Sequence, residues 1–264
     1  MNQKGFSLNN KIALVTGATG YLGEYMCFAL ASFGAHVLVN GRNALAVASL
    51  VNEMERKGYS ASAMVFDVCN ELEVEAAFRE LSGKPIHVIV NNAYSGVQGS
   101  QELSSSEDYI QSYRSSVVAC QSVFNSALDC LRLGVEQEGD ASVINIASMY
   151  GLVSPDLRVY DSASVANPAH YGAAKAGVLQ LTRYLSVQFG PERIRVNSIS
   201  PGPFPNPNSK ANNFEFMARL ANKVPLGRVG RPSELEGPLV FLASPMSSFV
   251  NGANLSVDGG WTAW

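Results

Sequence analysis

Short apolar runs alternate with helix-length amphipathic stretches from one end of the chain to the other. KIALVT, AHVLVN, SAMVFD and HVIVNNA read as strands, and the stretches between them, 22–33, 44–57 and 71–81, carry a helical period. The second half continues with a helix over 105–133, the strand ASVINIAS, a helix over 171–188 and the strand RIRVNSIS. A proline-rich loop (PGPFPNPN), two helical segments and a last strand, ANLSVD, follow. The strands are apolar on both faces, as a parallel sheet covered by helices requires. Repeated βα units predict right-handed crossovers and one α/β domain over 1–264, doubly wound, with a seven-stranded parallel sheet and helices on both faces. One stretch, about 152–169, is polar and proline-bearing and lies between a strand and a helix. Long loops at such places commonly cover or bind a ligand; packing on a neighbouring subunit is the alternative.

Composition narrows the classes. Of 264 residues, 47% are hydrophobic and 16% charged, enough to fill a core and too apolar for a disordered chain. A net charge of −3 offers no basic excess for phosphate backbones, so no nucleic-acid partner is expected. No apolar run approaches the roughly 20 residues of a membrane helix, and the amino terminus lacks the features of a secretory signal. The four cysteines form no CxxC pair, which fits free thiols and a cytoplasmic protein. His36 and His87 precede strands and His170 stands alone beside Tyr171, so no metal site is expected.

The candidate chemistry begins at the end of the first strand, with Thr16-Gly17-Ala18-Thr19-Gly20-Tyr21-Leu22-Gly23. Glycines at spacing three let the backbone turn tightly, approach a pyrophosphate and aim helix-start amides at it. The strand before and the helix after are the context that makes such an octet a dinucleotide site. At the end of the second strand, where an acid would take the adenosine ribose hydroxyls, the chain reads Asn40-Gly41-Arg42-Asn43. A guanidinium there suits a 2′-phosphate and favours NADP over NAD; Arg42 as a solvated helix-start residue is the alternative. Tyr171 and Lys175, four apart, share one helix face. A free tyrosine is a poor base at neutral pH; an adjacent ammonium is expected to stabilise the phenolate and lower its pKa. Ser148 ends the strand VINIAS, where its hydroxyl could donate to a carbonyl oxygen or steady the tyrosine.

These motifs together resemble the short-chain dehydrogenase/reductase family along nearly the whole chain. The likeness is carried by TGATGYLG, Asp67-Val68, Asn91-Asn92-Ala93, Ser148, Tyr171-x-x-x-Lys175, Pro201-Gly202 and the closing Val257-Asp258-Gly259-Gly260. It implies a Rossmann-type domain in which Asp67 and Val68 hold the adenine and Asn92 and Ala93 line the cofactor. It also implies that Lys175 binds the nicotinamide ribose, and that the loop after Pro201-Gly202 meets the carboxamide, with Asn206 where threonine is common. Several positions depart from the family. TGxxGxxG replaces the compact spacing TGxxxGxG and puts Tyr21 where a glycine is expected, as in the extended sugar-nucleotide branch. Tyr94 replaces the glycine of NNAG, and Ser116 aligns with the slot usually held by a catalytic asparagine. The 152–169 segment lengthens the Ser148–Tyr171 interval, and the stretch SMYGLVSPDLRVY…NPAHYGAAKAG that contains it resembles oxidoreductases of bacterial surface-sugar and flagellin-glycosylation loci.

The expectation is therefore a hydride-transferring oxidoreductase acting on a carbonyl or secondary alcohol, its substrate a sugar or polyol derivative. Tyr171 would be acid/base, Lys175 its tuner, Ser148 the polariser, and Arg158 in the insertion a substrate contact. Two alternatives stay open: a sugar-nucleotide epimerase or dehydratase with a tightly held nicotinamide, and a non-catalytic dinucleotide sensor. The resemblance also implies a homotetramer or homodimer paired through the two long helices, with Val117, Val118, Val123, Phe124, Val178 and Leu181 as candidate contacts.

Overall fold

The computed structural model describes residues 5–96, 101–206 and 213–264. Seven strands form one sheet: β1 (Ile12–Val15), β2 (His36–Gly41), β3 (Ala61–Val65), β4 (Val88–Asn91), β5 (Ala141–Ile146), β6 (Ile194–Pro201) and β7 (Asn254–Val257). Their order is β3-β2-β1-β4-β5-β6-β7, and every neighbouring pair is parallel. The order reverses between β1 and β4, the place where open α/β sheets leave a crevice at the carboxyl ends of their strands.

Helices cover both faces. α1 (Tyr21–Ser32), α2 (Ala44–Arg56) and α8 (Glu236–Ala243) bury Met26, Leu30, Val47, Met54 and Leu239 against Ala13 and Val15. On the other face, α3 (Glu71–Glu80), α5 (Ala119–Glu138) and α6 (Ala169–Phe189) pack Phe78, Phe124, Leu131 and Phe189 over Leu14 and Ile89. The strict alternation of Ala13, Leu14 and Val15 between two clusters is why β1 had to be apolar throughout. The expectation of strands apolar on both faces fails at an edge: β3 buries only Ala61 and Met64, and Ala63 and Val65 are exposed. An edge strand has a neighbour on one side only, so its covering helix stops short of full burial.

The long helix expected over 105–133 is built in three parts. α4 (Ser106–Tyr113) is opened by a capping box between Ser105 and Asp108, a π-helical segment spans Arg114–Val118, and α5 follows. One extra residue per turn in that segment re-aims the side chains on either side, as such bulges do near functional sites. The apolar positions proposed for subunit contact largely turn inward: Val117, Val123, Phe124 and Val178 are buried within the chain itself. The exposed large apolar residues of these helices are instead Tyr109, Ile110 and Tyr113 on α4 and Tyr184 and Val187 on α6. α7 (Phe214–Lys223) packs Leu220 against Met149 and Val159, which lie on two of the three short 3-10 turns between Met149 and Val165.

Candidate active site

The turn after β1 is shaped by Gly17, whose φ of +61° lies in the left-handed region. A Cβ there would come within 2.7 Å of the Ala93 Cα, so the β1 and β4 strand ends can approach only with glycine at this position. Thr16 closes the junction: its Oγ1 accepts from the backbone N–H groups of Asn92 and Ala93 at 3.0 and 3.1 Å. The Asn92 amide returns the tie by donating to the carbonyls of Thr16 and Gly17, both at 3.1 Å. Below them a buried amide chain runs from Asn91 to Asn145 (2.8 Å) and on to Thr182 of α6 (2.9 Å). Thr16 and Asn91 belong to motifs read from the sequence, but Asn145 and Thr182 were not legible there, because their partners lie across elements that only the fold brings together.

A cleft of about 450 Å³ opens over this junction. Gly17, Thr19, Gly20, Tyr21, Leu22, Gly23, Arg42, Asp67, Val68, Asn92 and Ala93 line it, which gathers eleven residues singled out from sequence. Its floor is Asn40, whose buried amide donates to the carbonyls of Met64 and Phe66 at 3.0 and 3.1 Å and so joins β2 to the end of β3. Arg42 is exposed at the rim and has no ion-pair partner among the described residues. Asn43 is not in the lining: its Oδ1 accepts from the Ala46 N–H at 3.1 Å and caps α2. The glycine-shaped cradle, the helix start beneath it and the free guanidinium fit a dinucleotide phosphate.

A second pocket of about 330 Å³ adjoins, lined by Ser148, Tyr150, Tyr160, Asp161, Asn167, Tyr171, Gly202, Phe204 and Phe216 among others. Ser148 caps the short turn after β5, its Oγ accepting from the Tyr150 N–H at 3.1 Å, and it also hydrogen-bonds Tyr171. Lys175, one helical turn beyond Tyr171 on α6, is buried and donates to the Ile146 carbonyl at 2.7 Å. Burial holds Lys175 down to about 8. It pushes Tyr171 up to about 12, while the Ser148 hydrogen bond pulls the other way. The expected lowering of Tyr171 by the lysine is therefore reversed here. The ammonium is held on a backbone carbonyl, 5.8 Å from the phenol ring centroid, and desolvation outweighs it.

The structure revises the remaining sequence-derived positions. Arg158 is 85% exposed and paired with Asp156, pointing away from the pocket. The neighbouring Tyr160 and Asp161 face the pocket in its stead. Ser116 lies buried in the π-helical segment with its Oγ unpartnered among the described residues, and it lines neither cleft; Ser115 reaches the first cleft and donates to the Ser95 carbonyl at 2.8 Å. Gly202 lines the second pocket, whereas Pro201 and Asn206 lie outside both linings. His170, read from sequence as solitary, bonds Ser112 at 2.6 Å. Sequence reasoning also missed Arg219 of α7, which donates to the Val159 carbonyl at 2.8 Å and pairs with Asp161.

Comparison with known proteins identifies the frame. The family described as Enoyl-(Acyl carrier protein) reductase matches residues 17–262. The chain belongs to the short-chain dehydrogenase/reductase family. It is a nicotinamide-dependent oxidoreductase, moving hydride between the cofactor and a carbonyl or secondary alcohol. It is 34% identical over 265 residues to a gluconate 5-dehydrogenase of Gluconobacter oxydans, covering 97% of this chain and 96% of the relative. A 5-keto-D-gluconate 5-reductase of Escherichia coli is 33% identical over 261 residues, with coverage of 97% and 96%. Among solved structures, a gluconate 5-dehydrogenase from Burkholderia cenocepacia in complex with NADP and tartrate superposes with a TM-score of 0.88 at 28% identity, covering 100% of each chain.

Proposed function

We propose that this enzyme interconverts a keto group and a secondary alcohol on a sugar acid, using NADP(H). The observation that carries the reading is the pocket beside Tyr171. It offers the Tyr150–Tyr160 hydroxyl pair (3.0 Å apart), the Asp161 carboxylate and the Asn167 amide around the reacting position, donors and acceptors that match a polyhydroxylated chain. Relatives named for gluconate and keto-gluconate support the class. Arg42, exposed at the cleft rim, suits a 2′-phosphate, and the related structures that hold NADP agree with it.

When bound, NADP(H) supplies or accepts the hydride. In reduction, Ser148 donates a hydrogen bond to the carbonyl oxygen and Tyr171 delivers its phenol proton to that oxygen, so the developing alkoxide is never free. The buried Lys175 ammonium stabilises the phenolate that remains. Arg219 and Lys223, each paired with a carboxylate of the insertion, hold the 152–169 segment against α7 as the outer wall of the pocket. The exposed Tyr184 and Val187 of α6 and Tyr113 of α4 support assembly as a homo-oligomer, a tetramer or a dimer, and four unpaired cysteines fit a reducing, cytoplasmic setting.

The test is a screen of D-gluconate, 5-keto-D-gluconate and related sugar acids with both NADP(H) and NAD(H), following reduced-nicotinamide absorbance. Turnover of a sugar acid with NADP(H) in preference to NAD(H) is expected. Turnover confined to bicyclic ketones or 3-oxoacyl thioesters, the chemistry named for other relatives, would overturn the substrate class.

A further inference from the structure

Three features beside Tyr171 have no role in the mechanism above, and they touch one another. Tyr94, in the loop after β4, sets its ring edge-on to the Tyr171 ring, with centroids 5.0 Å apart and planes at 72°. The Lys175 Nζ lies 5.4 Å from the Tyr94 centroid and 5.8 Å from that of Tyr171, within reach of cation–π attraction to both faces. Tyr94 is thus a wall against which both members of the pair rest. Its own ring is pinned at the far end: Tyr94 Oη lies 3.1 Å from Ser112 Oγ, and Ser112 Oγ lies 2.6 Å from His170 Nδ1. Ser112 is fully buried, and His170 is 1% exposed with its Nε2 unpartnered among the described residues. The loop accommodates the phenol because a Cβ on Gly96 would run into Tyr94 Oη.

We propose that His170 is a positioning residue for Tyr171 and Lys175, acting through Ser112 and Tyr94. The long helix reaches Tyr94 from Ser112, while the Ser116 hydroxyl, one turn on, is buried without a partner among the described residues. The proposal rests on Tyr171 as the proton donor and not on the identity of the substrate. A serine hydroxyl has one hydrogen and two lone pairs. A neutral His170 accepting at Nδ1 makes Ser112 donate to it and receive the Tyr94 hydrogen in return. A proton on Nδ1 makes Ser112 the acceptor and turns the bond to Tyr94 around. The imidazole thereby sets where the Tyr94 hydroxyl points and how firmly its ring backs the catalytic pair. The groups facing His170 are Asp108, Tyr109 and Ser112 from α4, with Tyr109 edge-on at 5.6 Å, and Tyr94 acting through Ser112 from the β4 loop. Burial favours the neutral ring, and Asp108 opposes it.

The experiment combines kinetics with a measurement that needs no substrate. His170→Phe and Ser112→Ala are each expected to lower kcat about tenfold, to leave KM within about twofold, and to displace the limb of the pH–kcat profile that reports the Tyr171–Lys175 pair. His170→Asn, which places an amide near the position of Nδ1, is expected to restore most of the loss. The chain holds only three histidines, so their imidazole proton resonances can be followed singly. The His170 titration is expected to move in Tyr171→Phe and on addition of NADP+, with that of His36 unmoved. Parent-like kcat and pH profile in folded Ser112→Ala or His170→Phe would overturn the proposal. So would a His170 titration indifferent to both Tyr171→Phe and NADP+. Should His170→Phe fail to fold, Ser112→Ala decides the kinetic question. Should no sugar acid turn over, the substrate proposal falls and the histidine titration alone decides this one.

Discussion

The two clefts that meet at Tyr171 are held together in different ways. The cofactor cleft is made of strand ends and the turns that leave them, tied by backbone hydrogen bonds and by short side chains such as Thr16, Asn40 and Asn92. Its shape follows from the sheet, and its lining residues come from four consecutive βα units. The substrate pocket is closed by parts remote in sequence, the 152–169 segment and α7, joined through Arg219–Asp161 and Lys223–Asp156 and by Tyr160 packed on Phe216 at 5.7 Å. One side is rigid by construction, and the other depends on side-chain pairs at the surface.

The largest effect expected is at the junction itself. Tyr171→Phe removes the proton donor and is expected to reduce kcat by about 10³-fold or more, with NADP(H) affinity nearly unchanged since most of that cleft lies elsewhere. Stopped-flow turnover together with calorimetric titration checks both halves; activity within about tenfold of the parent would take Tyr171 out of the chemistry. On the cofactor side, Arg42→Ala is expected to weaken NADPH binding by about 10–100-fold, the worth of a charge-assisted contact, and NADH hardly at all. Parent protein that binds NADH more tightly than NADPH contradicts this directly.

The substrate side should answer more softly. Arg219→Leu frees α7 from the insertion and leaves Asp161 facing the pocket without its cation, so KM for the substrate is expected to rise about tenfold while NADP(H) affinity stays constant. A matching loss in cofactor binding would mean the two clefts are not separable. Arg158→Ala, two residues from the pocket wall but turned to solvent against Asp156, is expected to change KM by less than about twofold, as exposed pairs contribute little. The pH dependence bears on both clefts. Burial depresses Lys175 to about 8, so its charge is present below that pH and lost above it. Reductive kcat is expected to be level on the acid side and to fall through about 8, the opposite of what a simple gain of phenolate base would give. A profile that stays level well above that value would show that the charge on Lys175 does not serve the proton transfer.

The contrast between Arg158 and Asp161 indicates how far residues alone could be read. Both stand in the same polar segment, and Arg158 is the more conspicuous hydrogen-bond donor. Yet Asp156 accepts from its side chain and from its backbone N–H, and turns it outward. That local 3-10 turn, Leu157–Val159, has no periodic signature. His170 and Ser112 give the same lesson inside the molecule. They lie 58 positions apart and meet because α4 crosses the start of α6.

What the amino-acid order determined by itself was the architecture and the cofactor half of the site. Alternation of apolar runs and amphipathic stretches admits only a covered parallel sheet, and a glycine turn after its first strand can sit nowhere but at the sheet's carboxyl edge. The pairing of Tyr171 with Lys175 was equally local, since four residues on a helix are neighbours in any fold. The tertiary structure alone decided which of the charged and hydroxyl groups near them face the pocket, because that depends on contacts between segments far apart in the chain. It also decided the protonation balance of the site. An ammonium beside a phenol favours the phenolate, but burial of both groups favours the neutral form of each.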